Sequence, residues 1–180
     1  MSPSPPVRHC TRQDLPEVRE IYALEVREGT ASFELEPPSL AEMRARFAAI
    51  EATGLPYLVA ELEGRIAGYA YASPYRPRPA YRHTVEDSVY VARFARRQSV
   101  GRALLHAVIE SATARGKRQM VAIIGDSAHV ASINLHARAG FRLVGTLQNV
   151  GWKFGRWLDT VIMQRDLGDG AGAPAPDGPP

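Results

Sequence analysis

The chain has one cysteine, Cys10, among its 180 residues, which excludes an internal disulfide. No Cys/His spacing resembles a zinc site, so no metal is expected. The N-terminal MSPSPPVRHC places prolines where a signal peptide needs an apolar run. No stretch approaches the roughly 20 apolar residues that span a bilayer. A cytoplasmic protein in a reducing compartment, with no membrane partner, is the expectation. Excess charge is scarce too: 22 basic against 19 acidic residues leave a formal charge of +3. That balance favours anionic ligands, without the clustered basic face expected of a nucleic-acid binder. There is no internal repeat and no linker long enough to divide the chain.

What is present suits one globular domain. Hydrophobic residues make up 45% of the sequence, enough for a sizeable core. Residues 1–6 are rich in Pro and Ser, and residues 168–180 form a Gly/Ala/Pro/Asp stretch without hydrophobic anchors, so both ends are expected to be loose around a body of residues 7–167. Residues 7–10 read as a strand, followed by a helical pattern from Thr11 through Leu15, Val18, Ile21 and Tyr22. Residues 27–38 read as a loop. Ser39 and Glu42 have capping-box spacing ahead of Met43, Phe47 and Ile50. Two strands flank Glu63-Gly64-Arg65 as a hairpin, and the Pro/Arg-rich residues 75–82 read as a loop. Residues 84–91 and 119–124 read as strands, 101–115 and 130–139 as helices, and 141–150 and 157–164 as the last strands. The order β-α-α-β-β-β-α-β-α-β-β predicts an α/β sandwich on a mixed sheet, not an alternating doubly wound fold.

One segment carries most of the chemistry. VEDSVYVARFARRQSVGRALL runs from a strand through a basic turn into a helix. Such a turn presents backbone N–H groups at a helix N-terminus, beside arginines, where phosphate can sit. Arg96, Arg97, Gln98, Ser99, Val100, Gly101 and Arg102 are the candidate cradle; a solvated basic helix start is the alternative. Glu86, in the strand just before, is either a surface glutamate or a base able to take a proton from an ammonium group. Asp87 falls on the opposite face by strand alternation.

The strand, the R-x-x-S-x-G turn and the later ASINLHARAGF resemble the GNAT superfamily of N-acetyltransferases. More narrowly, GYAYASPYRPRPAYRHTVEDSVYV and GWKFGRWLDTVIMQ are similar to the phosphinothricin and methionine sulfoximine acetyltransferases. The likeness runs from about Val7 to Asp166. It implies acetyl-CoA as co-substrate, with Val89, Tyr90 and Val91 along the pantetheine arm and residues 96–102 on the pyrophosphate. Ser99 and Arg97 stand where the superfamily has glycines. His129 stands where relatives often have Asn beside the CoA arm, and Asn134 is a further candidate contact.

The same resemblance implies Glu86 as general base and His136, or water, as the acid that protonates the thiolate. A histidine simply packed on a helix face is the alternative for His136. The oxyanion donor would be the N–H of Val89 or Tyr90. Phe33, Arg76, Arg78, Tyr81, Arg82 and the region from Lys153 to Trp157 would line the acceptor pocket, with arginine able to grip an α-carboxylate. For Trp157, core packing is an equal alternative. A small-molecule amine acceptor, a homodimer through the sheet edge or the C-terminal strands, and no nucleic-acid partner complete the expectation. Two alternatives stay open: a different amine acceptor, or an acyl-CoA-binding module without turnover.

Overall fold

Tyrosine and aliphatic residues alternate along YLVA and GYAYAS, and the two sets fall on opposite faces of one sheet. The computed structural model describes residues 5–174. Seven strands, β1 (Val7–His9), β2 (Tyr57–Leu62), β3 (Arg65–Pro74), β4 (Thr84–Val91), β5 (Gln119–Gly125), β6 (Arg142–Lys153) and β7 (Arg156–Asp166), lie in the order β1-β2-β3-β4-β5-β7-β6. Every neighbouring pair is antiparallel except β4 with β5. This is the mixed sheet expected.

Helices α1 (Leu15–Glu28) and α2 (Leu40–Ala52) cover the face that carries Tyr57, Val59, Tyr69 and Tyr71. The tyrosine rings stack there: Tyr69 lies 5.1 Å from Tyr90, and Tyr57 lies 5.1 Å from Tyr71. Helices α3 (Val100–Ala114) and α4 (Val130–Arg138) cover the other face. Alanines 60, 70 and 72 stand there, small enough for Leu104, Leu105 and Val108 of α3 to press close. Gly68 is the tightest point, since a Cβ on it would lie 2.6 Å from the Tyr90 carbonyl oxygen.

Local signals set most boundaries. The Ser39/Glu42 capping box forms, with hydrogen bonds of 2.7 and 3.2 Å. The first helix starts at Leu15 rather than Thr11, because Asp14 folds back on the chain. Its carboxylate accepts from the Thr11 N–H (2.7 Å) and from Arg8 (2.7 and 2.8 Å). The Arg8 bond chiefly pulls the Asp14 pKa down to about 2. β6 runs three residues beyond the expected Val150, because it stays paired with β7 to the turn at 154–155.

The ends also depart from expectation. Residues 1–4 and 175–180 lie outside the described residues. Pro5, however, is buried, and the Pro6 carbonyl accepts from the Glu61 N–H at 3.2 Å. After Leu167 a short 3-10 turn, Gly170–Gly172, follows, with Gly170 buried and Asp169 paired to Arg118 at 3.1 Å. The expected loose tail therefore begins too early at residue 168.

Candidate active site

β4 and β5 pair only from Thr84–Gln119 to Asp87–Ala122. Beyond that β4 continues along β3 to Val91, while β5 continues along β7 to Gly125. The two strands part, and a cleft of about 920 Å³ lies between the end of β4, the start of α3 and α4. Val89, Tyr90 and Val91 line one wall, Arg96, Arg97 and Ser99 to Arg102 the end, and His129 and Asn134 the far side. Of the residues expected to hold the co-substrate, only Gln98 is not on the lining. Its side-chain amide turns back to the Phe94 carbonyl at 2.8 Å.

Strand register resolves the oxyanion candidates. The Ala92 N–H donates to the Ala67 carbonyl at 2.9 Å, and β3 and β4 pair without a register shift. Alternation then commits the Tyr90 N–H to Tyr69, and turns the N–H groups of Val89 and Val91 toward the opening. Tyr90 is thereby removed as a donor, and Val89 stays.

The turn is built to present backbone donors. Arg97 and Ser99 both adopt left-handed conformations, with φ of 64° and 63°. These are the positions where the superfamily's glycines are missing, and a left-handed non-glycine residue costs about 1–2 kcal/mol. Ser99 is the N-cap of α3, yet its side chain caps nothing. The N–H groups of Val100, Gly101 and Arg102 precede the first helical hydrogen bond, from Ala103 to Ser99. Strained backbone and uncapped donors at one helix start suit the pyrophosphate of acetyl-CoA. Arg96 pairs with Glu25 of α1, while Arg97 and Arg102 make no ion pair among the described residues. His129 is half-buried; burial chiefly lowers its pKa, and its Nδ1 is enclosed without a partner among the described residues.

Glu86 sits on β4 one residue before the strands part, on the tyrosine face opposite Asp87. Burial chiefly raises its pKa, the Asp87 charge adds to that, and Arg76 opposes it. A carboxylate held above its usual range is better matched to proton abstraction near neutrality. Arg76 reaches this neighbourhood with its guanidinium 5.1 Å from the Tyr75 ring, and Tyr81 packs edge-on to Tyr75. Arg78 and Arg82 are exposed on the same connection, and the structure gives them no side-chain partner among the described residues.

The structure places His136 differently from the expected acid. The ring is 4% exposed and lies outside the cleft lining. Nδ1 faces the Ser132 carbonyl at 2.8 Å, and Nε2 faces Asp87 Oδ2 at 3.0 Å. Both partners are acceptors, so both nitrogens act as donors and the ring is best held as imidazolium. Burial works against that charge, but the Asp87 hydrogen bond and charge outweigh it and raise the pKa. His136 thus ties α4 to β4 where β4 and β5 part, with no N–H left for a thiolate.

Lys153 and Trp157 also depart from expectation. Lys153 is 3% exposed and donates to the carbonyls of Gly29 (3.0 Å) and Ser32 (2.7 Å). Trp157 is neither core nor pocket; it is 59% exposed and packs edge-on against Trp152 at 5.1 Å. Phe33 lies on the backbone of β5 and β6, where a Cβ on Gly125 or Gly151 would meet its ring. Beside it Tyr22 donates to Glu34 (2.8 Å) and shares a hydrogen bond with Ser32 Oγ (2.8 Å), and Arg46 holds Glu34 with both nitrogens. Sequence reading gave no site role to Tyr22, Ser32, Glu34 or Arg46, and set Asp87 aside on the opposite strand face. Only the Asp87–His136 pair left a trace, as two polar residues on otherwise apolar faces.

A cleft along the end of β4 that closes on an uncapped, arginine-lined helix start is the form of an acyl-CoA-dependent transferase. Like His136, Glu86 lies off that lining; it stands a few residues back along β4. Residues 7–162 match the acetyltransferase (GNAT) domain, and the chain belongs to that family. It is 55% identical to the phosphinothricin N-acetyltransferase of Alcaligenes faecalis over 91% of this chain and 83% of that protein. It is 43% identical to the L-methionine sulfoximine/L-methionine sulfone acetyltransferase of Pseudomonas paraeruginosa over 93% of this chain and 98% of that protein. The crystal structure of a Sinorhizobium meliloti phosphinothricin acetyltransferase in complex with AcCoA superposes with a TM-score of 0.95 at 46% identity, covering 98% of this chain and 95% of that one. The chain is an N-acetyltransferase whose co-substrate is acetyl-CoA. No group of three or more metal-ligating side chains occurs among the described residues, and no helix there is long and apolar enough to cross a membrane.

Proposed function

We propose that this chain acetylates the amino group of a small amino-acid-like acceptor such as phosphinothricin or methionine sulfoximine, by direct transfer in a ternary complex. The observation that carries the reading is the position of Glu86, a carboxylate with a raised pKa one residue before the β4–β5 opening. The turn from Arg96 to Arg102 holds the pyrophosphate, and Val89 and Val91 offer N–H groups along the opening. Glu86 takes a proton from the acceptor ammonium, directly or through water, and frees the nitrogen lone pair for attack on the thioester carbonyl. The Val89 N–H donates to the carbonyl oxygen as negative charge gathers there. Arg76 meets the acceptor's carboxylate. Collapse of the tetrahedral intermediate breaks the C–S bond, and the departing CoA thiolate takes a proton from water, while His136 holds α4 against β4.

A homodimer fits the same reading. β6 is an edge strand, and Leu143, Val144, Leu147, Val150 and Trp152 are exposed along it. An apolar edge of that length favours a second copy. Dependence on acetyl-CoA and one buried free cysteine suit the cytoplasm.

The test is thiol release from acetyl-CoA with phosphinothricin, methionine sulfoximine, methionine sulfone and common amines. Turnover with the first three above the simple amines is expected. Acetyl-CoA binding without turnover of any acceptor would leave a binding module instead.

A further inference from the structure

We propose that Lys153 is the positioning residue of the acceptor site: its ammonium straps the loop of residues 29–34 to the β6–β7 hairpin, and this sets acceptor affinity. The inference rests on the reading that this loop lines the acceptor side.

Lys153 is one of only two lysines in the chain. It ends β6, yet its Nζ reaches the residue that closes α1, donating to the Gly29 carbonyl at 3.0 Å and to Ser32 at 2.7 Å. A cation at the end of a helix meets the negative end of its dipole. A compact ammonium with three donors can serve two carbonyls within one turn, where a planar guanidinium would need a flat, paired acceptor. Burial lowers the Lys153 pKa, while Glu25 and Glu34 act to keep the charge.

The strap has a second fastening. Phe33 rests on Gly151, two residues before Lys153 on the same strand, and on Gly125 at the end of β5. A Cβ on Gly125 would also lie 2.5 Å from the Thr30 carbonyl oxygen. The loop is thus pressed onto two glycines and drawn down by one ammonium. What it then presents is Ser32 and Glu34, hydrogen-bonded to Tyr22, whose ring packs at 5.1 Å against Tyr90 of β4. Releasing Lys153 would free the loop without touching Glu86; Ala31 of the loop also borders the cleft, so the co-substrate end feels a smaller share of the change.

Two variants of the full chain test this, Lys153→Met and Gly151→Ala. Each is assayed for the KM of acceptor and of acetyl-CoA, and for hydrogen exchange of the amides at 30–34. Expected in both are an acceptor KM raised about tenfold or more, a clearly smaller rise in the acetyl-CoA KM, and faster exchange confined to the loop. A general loss of folded enzyme would lower kcat and leave both KM values alone. The proposal is overturned if the acceptor KM is unchanged, or if the acetyl-CoA KM rises as much as the acceptor KM. Should Lys153→Met fail to fold, Gly151→Ala decides, because it displaces the Phe33 ring and leaves the buried charge intact. Exchange separates the two failures. If the wild type acetylates no amine, the acceptor reading falls, and loop protection lost in the variants shows that the strap alone survives. If the wild type turns over but loop exchange is unaltered in the variants, the strap itself is refuted.

Discussion

The two ends of the site are built in opposite ways. The phosphate end lies within one stretch of chain, residues 89–102, where strand, turn and helix start follow one another. The proposed acceptor end draws on α1, the loop at 29–34, Arg46 of α2, Arg76, Glu86 and the β6–β7 hairpin, joined by contacts as distant as Lys153 with Gly29. The phosphate end tolerates local strain, at Arg97 and Ser99, because an anion can repay it on binding. The proposed acceptor end instead depends on side chains reaching distant partners, as in Glu34 with Arg46 and Lys153 with two backbone carbonyls. A change at the first end is therefore felt by one ligand, whereas a change at the second can shift a whole loop.

Three substitutions probe that contrast. The largest effect is expected for His136→Ala, which leaves the Asp87 carboxylate buried and unpaired. Loss of one partner of a buried pair costs about 3–5 kcal/mol. The His136 pKa is raised in the folded state, so the stability it contributes is full below the ordinary histidine value and is lost as pH rises through the folded value. Urea unfolding should show the widest gap between parent and variant at acidic to neutral pH, narrowing in alkali. A gap of the opposite pH trend would remove the ion pair from the account.

Glu86→Gln comes next. It should lower kcat by about 10²-fold, with acetyl-CoA binding unchanged. The acid limb of the parent's rate profile should lie above the usual carboxylate range and vanish in the variant, which a pH series of initial rates would read. Near-normal turnover of the variant at neutral pH would assign the base elsewhere.

The smallest effect is expected for Ser99→Gly. Removing a side chain from a left-handed position should stabilise the fold by about 1 kcal/mol, seen as a higher unfolding midpoint, with acetyl-CoA affinity kept or improved. A marked fall in affinity, measured by calorimetry, would make the hydroxyl a phosphate ligand.

Legibility in the sequence follows the same division. The strand, turn and helix start of the proposed cradle could be read because they are contiguous, while its role came from the family resemblance. Glu86 was singled out by the family resemblance; strand alternation only separated it from Asp87. Lys153 was expected to line the acceptor pocket, and nothing near it in sequence indicates that its partners are carbonyls more than a hundred residues away. His136 shows the same limit: its position on the helix was evident, but both of its nitrogens are taken by groups that only folding brings near.

Periodicity and turn chemistry, being local, decided the element order, the mixed sheet, the capping box at Ser39 and the anion-ready start of α3. Tertiary structure alone decided where β4 leaves β5, which backbone N–H groups face the gap, and which charges cancel beside it. Those outcomes depend on strand register and on burial, which exist only once distant segments have packed.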